Sequence, residues 1–263
     1  MKKRPDIIVI DKMRYFQKFT VHQRVQSIIQ LLSVAFLGLT GLPLRYADHA
    51  WAQEIYATFG GPALAPTIHR AAGTVLLCVF VYHTLYWIVS FYKNDIKYQV
   101  KERRFTPKTF LKAFFSQTMI FNKKDLQDIR DHFKYIFFIS AQKARHERIM
   151  WKEKFEYFAQ YWGITVIGLA GLALWWHDEL SHVFPGIVLN AAYIMHSYEA
   201  LLAVLFLIFI HWYHEYYSPE KFPVPTGFFS GYISEYQMVH EHYDRYVQLM
   251  TEAGLHAEIK PHH

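Results

Sequence analysis

Four long stretches without charge constrain this chain more than any other feature. No Asp, Glu, Lys or Arg falls between Val25 and Leu44, between Ala71 and Tyr92, or between Tyr157 and His177, and the run from Leu180 to His214 holds only Glu199. A hydrocarbon core ~30 Å thick takes ~20 helical residues to cross. The pattern predicts four transmembrane helices near 22–44, 67–92, 156–177 and 188–214. The expected fold is all-α: an integral membrane four-helix bundle with short amphipathic cytoplasmic helices. No strand pattern and no internal sequence repeat stands out.

Basic residues orient these spans. The segment before the first run carries Lys2, Lys3, Arg4, Lys12, Arg14, Lys18 and Arg24, and the stretch from Lys93 to Lys154 is rich in Lys and Arg, including Lys101, Arg103, Arg104, Lys123, Lys124 and Lys152. The short loop between the third and fourth runs has only Asp178 and Glu179. The positive-inside rule then puts both termini and the middle loop in the cytoplasm, in a multi-pass protein of a bacterial or archaeal inner membrane. The expected organisation is a basic N-terminal segment (1–21), a first helix pair (22–92), a basic loop (93–154), a second helix pair (155–217) and a tail (218–263). The net charge of +6 is thus a topology signal, and it argues for contact with membrane lipid rather than nucleic acid. FTPKTFLKAFF and KKDLQDIRDHFKYIFF in the middle loop look amphipathic, as helices lying on a membrane surface do. GGPALAP in the first outer loop reads as a turn-rich segment that starts a helix at Pro66. The tail after Ser218 is broken by Pro219, Pro223 and Pro225. No apolar stretch precedes Val25, so no cleaved signal peptide is expected.

Histidines inside apolar spans are costly and mark functional sites. His69 and His83 lie fourteen positions apart in the second run, and His196 and His211 fifteen apart in the fourth. At 1.5 Å per residue these separations are roughly 21–23 Å, so His69 matches His196 in depth near the outer face and His83 matches His211 near the inner one. Fourteen residues fall about 40° short of whole turns and fifteen overshoot by about 60°, which keeps each pair on one half of its helix. Two depth-matched imidazole pairs on facing helices suit two stacked, six-coordinate, non-covalent haem b groups. The single cysteine, Cys78, excludes an internal disulfide, a CxxCH attachment and an iron–sulfur cluster held by this chain alone. Gly73 and Ala200, one turn after His69 and His196, leave room for a flat macrocycle. Gly163, Gly168 and Gly171 would let helices approach closely. Arg45 and Arg70 are candidate propionate contacts. His22 competes with His83 as an inner ligand or stands as a quinone contact, and Glu199 is either a proton acceptor near the outer site or a neutralised carboxyl. His214, at the span's end, reads as a solvated interfacial histidine.

With these residues in place, the chain resembles the di-haem cytochrome b subunits of formate dehydrogenase, nickel–iron hydrogenase and thiosulfate reductase, and the cytochrome b/b6-domain proteins among them. VHQRVQSIIQLLSVAFLGLTGLPL, IHRAAG, EKFEYFAQYWG and HSYEALLAVLFLIFIHWY carry the likeness across all four spans. The resemblance implies an electron carrier that exchanges electrons with a quinone pool and is anchored beside a redox partner, an iron–sulfur protein or a multihaem cytochrome c. It also implies ligand roles for His69, His196 and His211. One departure matters: the family's first-helix ligand position holds Ser27 here. Either His22 or His83 then completes the inner site, and His83 has the better depth. No catalytic constellation for substrate chemistry is present, so the chain reads as the quinone-reactive cytochrome b subunit of an oxidoreductase complex. The competing expectations are a haem-free membrane anchor and a histidine-based metal carrier.

Overall fold

The computed structural model describes residues 6–141, 145–217 and 226–261. Lys2, Lys3, Arg4, Pro219, Pro223 and Pro225 lie outside them. In chain order the elements are β1 (Ile7–Ile10), β2 (Met13–Gln17), α1 (Val21–Arg45), α2 (Ala50–Thr58), α3 (Gly61–Phe91), α4 (Lys97–Lys101), α5 (Pro107–Phe115) and α6 (Lys123–Ile136). There follow α7 (Trp151–Trp175), α8 (His177–Ser181), α9 (Gly186–Phe206), α10 (Thr226–Ser230), β3 (Tyr232–Ser234), α11 (Glu235–Glu241) and α12 (Tyr243–Glu252). Single π turns extend α3 (Tyr92–Ile96) and α9 (Leu207–His211, then Tyr213–Tyr217). The fold is mostly helical, and four of its helices are long and apolar enough to cross a membrane. The chain forms two compact units, one of 25–89 with 159–214, the other of 1–24, 90–158 and 215–263.

The first unit contains most of α1, α3, α7 and α9. Its hydroxyl groups are satisfied within their own helices: Thr40, Thr74, Thr84 and Thr165 each donate to the carbonyl four residues back. This removes the penalty of an unpaired polar group on an apolar helix. Small residues set the approach of neighbours. A Cβ on Gly168 (α7) would fall 2.7 Å from Leu77 (α3), whereas Gly38 (α1) faces Val204 (α9) and Gly73 (α3) faces Leu37 (α1) at an ordinary 3.8 Å. Gly163 has open space around it, so it limits no approach. α3 starts at Gly61, five residues before Pro66, because Pro62 occupies the first turn, where its missing N–H costs nothing. The loop between α1 and α3 also contains a helix, α2, that its turn-rich sequence does not signal.

The other unit departs from the all-α expectation. β1, β2 and β3 form an antiparallel sheet in that order. β1 and β2 pair Ile10 with Met13 across a two-residue loop, with Asp11 and Lys12 both at positive φ (50° and 63°). That is the twist a tight hairpin requires, here built without glycine. β2 then pairs Phe16 with Ile233 of β3, more than two hundred residues away. Phe16, Ile233, Met238, Val239, Tyr243, Tyr246, Leu249 and Met250 close a buried core over the sheet. α5 and α6 begin in capping boxes, Thr106 with Thr109 and Asn122 with Asp125.

Ion pairs tie the start of α7 into this unit. Lys154 reaches Asp125 at 2.7 Å with both side chains buried, and Lys18 reaches Glu153 at 2.6 Å. Burial works against the Lys18 ammonium, but Glu153, helped by Glu241 and Glu215, outweighs it and holds the Lys18 pKa above its usual value. His242 donates from Nδ1 to the Glu147 carbonyl at 2.9 Å, and its Nε2 is buried without a hydrogen-bond partner. Burial, then the nearby Lys18 charge, push its pKa down to about 3, so it is a neutral imidazole.

Candidate functional site: paired imidazoles within the long helices

His69 on α3 and His196 on α9 are brought together, with ring centres 6.2 Å apart and planes crossing at 76°. A metal–imidazole bond is about 2 Å long and the nitrogen lies about 1.1 Å from its ring centre, so two imidazoles on opposite sides of one metal separate their centres by roughly 6 Å. The 6.2 Å between the ring centres of His69 and His196 equals that separation.

The hydrogen bonds decide which nitrogen is available. Thr40 Oγ1 spends its proton on the Phe36 carbonyl, so at 2.9 Å it accepts from His69 Nδ1. His196 Nδ1 lies 2.9 Å from the Ile167 carbonyl, which only accepts. Both rings therefore carry the proton on Nδ1 and keep the Nε2 lone pair for a ligand bond, the orientation that metal-ligating histidines take from such partners. Glycines on the neighbouring helices fix the rings. A Cβ on Gly41 would come within 2.9 Å of His69 Cε1, and one on Gly171 within 3.0 Å of His196 Cε1. The residues pressed against the imidazoles are thus Gly41 and Gly171, whereas Gly73, expected from its spacing, makes only ordinary contact with Leu37.

Deeper along α3 the same chemistry recurs. His83 Nδ1 lies 2.8 Å from Gln26 Oε1 on α1, an acceptor, so the imidazole proton sits on Nδ1. Tyr161 of α7 borders it, with ring centres 6.4 Å apart, and its hydroxyl is hydrogen-bonded to Thr84. Gln26 directly precedes Ser27, so the first helix offers His83 an orienting amide beside the position where the family likeness leads one to look for a ligand.

His211 closes the π turn Leu207–His211. Bonding from i to i+5 winds the chain at roughly 4.4 residues, or ~82° per residue. Ten steps at 100° and five at ~82° put His211 about 30° short of four whole turns from His196. His69 and His83, fourteen α-helical steps apart, fall about 40° short. The π turn removes the angular mismatch that the fifteen-residue spacing would otherwise create.

The Arg45 guanidinium stacks on Tyr198 at 4.2 Å, and Arg70 lies over Trp175 at 5.4 Å. Neither is ion-paired with a carboxylate among the described residues. Glu199, half-buried one turn after His196, makes no ion pair or side-chain hydrogen bond to another described residue. His22 sits in the first turn of α1, half-buried. The orienting groups Thr40, Gln26 and the Ile167 carbonyl escaped the sequence reading, although the Thr40–Gly41 pair was visible in LTGLPL. No protein-family model matches the chain, and neither does any curated protein.

Proposed function

We propose that this chain is a di-haem b electron-transfer subunit of a quinone-linked respiratory oxidoreductase, with α1, α3, α7 and α9 forming a transmembrane four-helix bundle in a bacterial or archaeal inner membrane. The observation that carries the reading is the His69–His196 pair: 6.2 Å between ring centres, with both Nδ1 atoms committed to acceptors. Side-chain contacts between α1 and α3, α3 and α7, α7 and α9, and α9 and α1 support the bundle. Haem b, once bound, supplies a reversible one-electron couple. His69 and His196 would hold the outer group and His83 and His211 the inner one. No three His, Cys, Asp or Glu converge as a metal site among the described residues, so a bare ion between His69 and His196 would have half the ligands it normally takes. That argues against the metal carrier.

In this reading the chain's own groups do four things. Thr40, Gln26 and the Ile167 carbonyl hold the imidazoles in one tautomer. Arg45 and Arg70 supply positive charge to the outer propionates. Glu199 accepts a proton near the outer site, and His22 lines a quinone contact at the inner end of α1. Both termini lie in the cytoplasm, and electrons pass across the bilayer between the quinone pool and a partner subunit, an iron–sulfur protein or a multihaem cytochrome c.

The test is haem b per polypeptide by pyridine haemochrome on detergent-purified protein. Two per chain are expected, with one lost in His69→Ala and in His196→Ala. One is also lost in His83→Ala and retained in His22→Ala. A folded chain made with ample haem that carries none would leave a haem-free membrane anchor.

A further inference from the structure

α6 ends in a hydrogen-bonded pattern that normally requires glycine. The Ile139 N–H bonds to the Lys134 carbonyl at 2.8 Å and the Phe138 N–H to the Tyr135 carbonyl at 3.0 Å. This is the paired closure in which the residue after the cap turns left-handed, a place glycine takes because it has no Cβ. Here that residue is Phe138, at φ +58°. A bulky side chain in that region is a genuine outlier. No contact with the described residues rewards it, because Phe138 is 96% exposed. Its neighbours are exposed as well: Phe137 at 66%, Ile139 at 73%, and Phe133, whose ring stacks on Phe137 at 6.3 Å. Strain that presents an apolar side chain to the outside points to a use for that side chain.

We propose that Phe133, Phe137, Phe138 and Ile139 form a tip that inserts into the headgroup–acyl boundary of the lipid bilayer. Three observations select lipid as the occupant. The tip offers only hydrocarbon and no directional polar group, which suits a fluid apolar phase. Arg130 and Lys134 lie on the same helix and share Asp131 as their ion-pair partner (3.0 and 3.9 Å), which leaves a net positive charge near the tip, where cations meet headgroups. Ile139 lies twelve residues before Trp151, the start of a bilayer-length helix, so the chain cannot carry the tip more than roughly 40 Å from that helix. The proposal rests on the reading of the four long helices as membrane spans.

The experiment is site-directed spin labelling of the full chain, with Cys78→Ala as background, reconstituted in phosphatidylethanolamine–phosphatidylglycerol vesicles. Single labels are placed through Phe138→Cys, through Val81→Cys on the exposed side of α3, and through Glu252→Cys at the exposed C-terminal end of α12 as the aqueous reference. The expected result is an oxygen-to-nickel-chelate accessibility ratio at 138 several-fold above that at 252, at a depth of ~5–10 Å. A ratio at 138 equal to that at 252, while 81 reports lipid, overturns the tip and leaves the spans intact. Exclusion of both reagents at 138 means cover by protein, a second copy included, and also overturns it. Nickel access at 81 overturns the membrane reading on which the proposal stands.

Discussion

His69 shows how little a candidate ligand residue decides by itself. Its position in an apolar run marks it as costly, but the Thr40 hydroxyl and the bare Cα of Gly41 help fix which nitrogen is offered and where. Gly231 plays a comparable part in the other unit. It sits at φ +87°, accepts from the Lys18 and Phe19 N–H groups, and a Cβ there would fall 2.6 Å from the Phe19 carbonyl oxygen. Gly231→Ala should therefore destabilise that unit by about 2 kcal/mol or more, read as a lower urea midpoint with unchanged haem content. His242 gives this unit an acid sensitivity. In the unfolded chain it takes up a proton near its ordinary pKa of ~6.5, whereas in the fold it stays neutral down to about 3. The unfolded state binds more protons throughout that window, so the stability contributed is complete above pH ~6.5 and falls as pH drops toward 3, by up to about 1.4 kcal/mol per pH unit. Unfolding midpoints followed from pH 7 to pH 4 should show this slope in the native chain and a shallower one in His242→Leu.

At the scale of elements, the π turn at the end of α9 is the feature with the sharpest consequence. It absorbs one residue, so the fifteen-residue spacing of His196 and His211 behaves like the fourteen-residue spacing of His69 and His83. Deleting Phe209 should convert the turn to ordinary α-helix and leave about two haems per chain. Inserting an alanine after Phe209 should add about 100° and cost the inner haem, as haemochrome titration would report. The strands teach the opposite lesson about legibility. IIVI has no alternation, the hairpin loop is Asp11–Lys12 rather than Asn–Gly, and the third strand is three residues long. None of these carries a local signal, because each strand is defined by its pairing.

The whole molecule holds two kinds of stability. One unit buries Phe16, Tyr246 and Met250 completely and is organised like a water-soluble domain. The other turns Val81, Leu85, Ile187 and Leu202 outward and draws its order from helix contacts and paired imidazoles. Protein produced under haem limitation should accordingly show earlier loss of helical signal from the long helices. Proteolytic cleavage within 235–252 should set in at an unchanged temperature, since that core contains no part of the proposed haem sites.

Sequence alone determined the four long apolar helices and the match of His69 with His196, because apolar run length and helical rise act on consecutive residues. It also placed α5 and α6, whose capping boxes are local. The tertiary structure decided what depends on distant partners: which acceptor fixes each imidazole, which glycines lie against the rings, the left-handed cap at Phe138 and the sheet that joins residue 16 to residue 233. A helix or a cap is written in a few neighbouring side chains, whereas a tautomer or a strand register is settled by whichever group the rest of the chain brings within hydrogen-bonding reach.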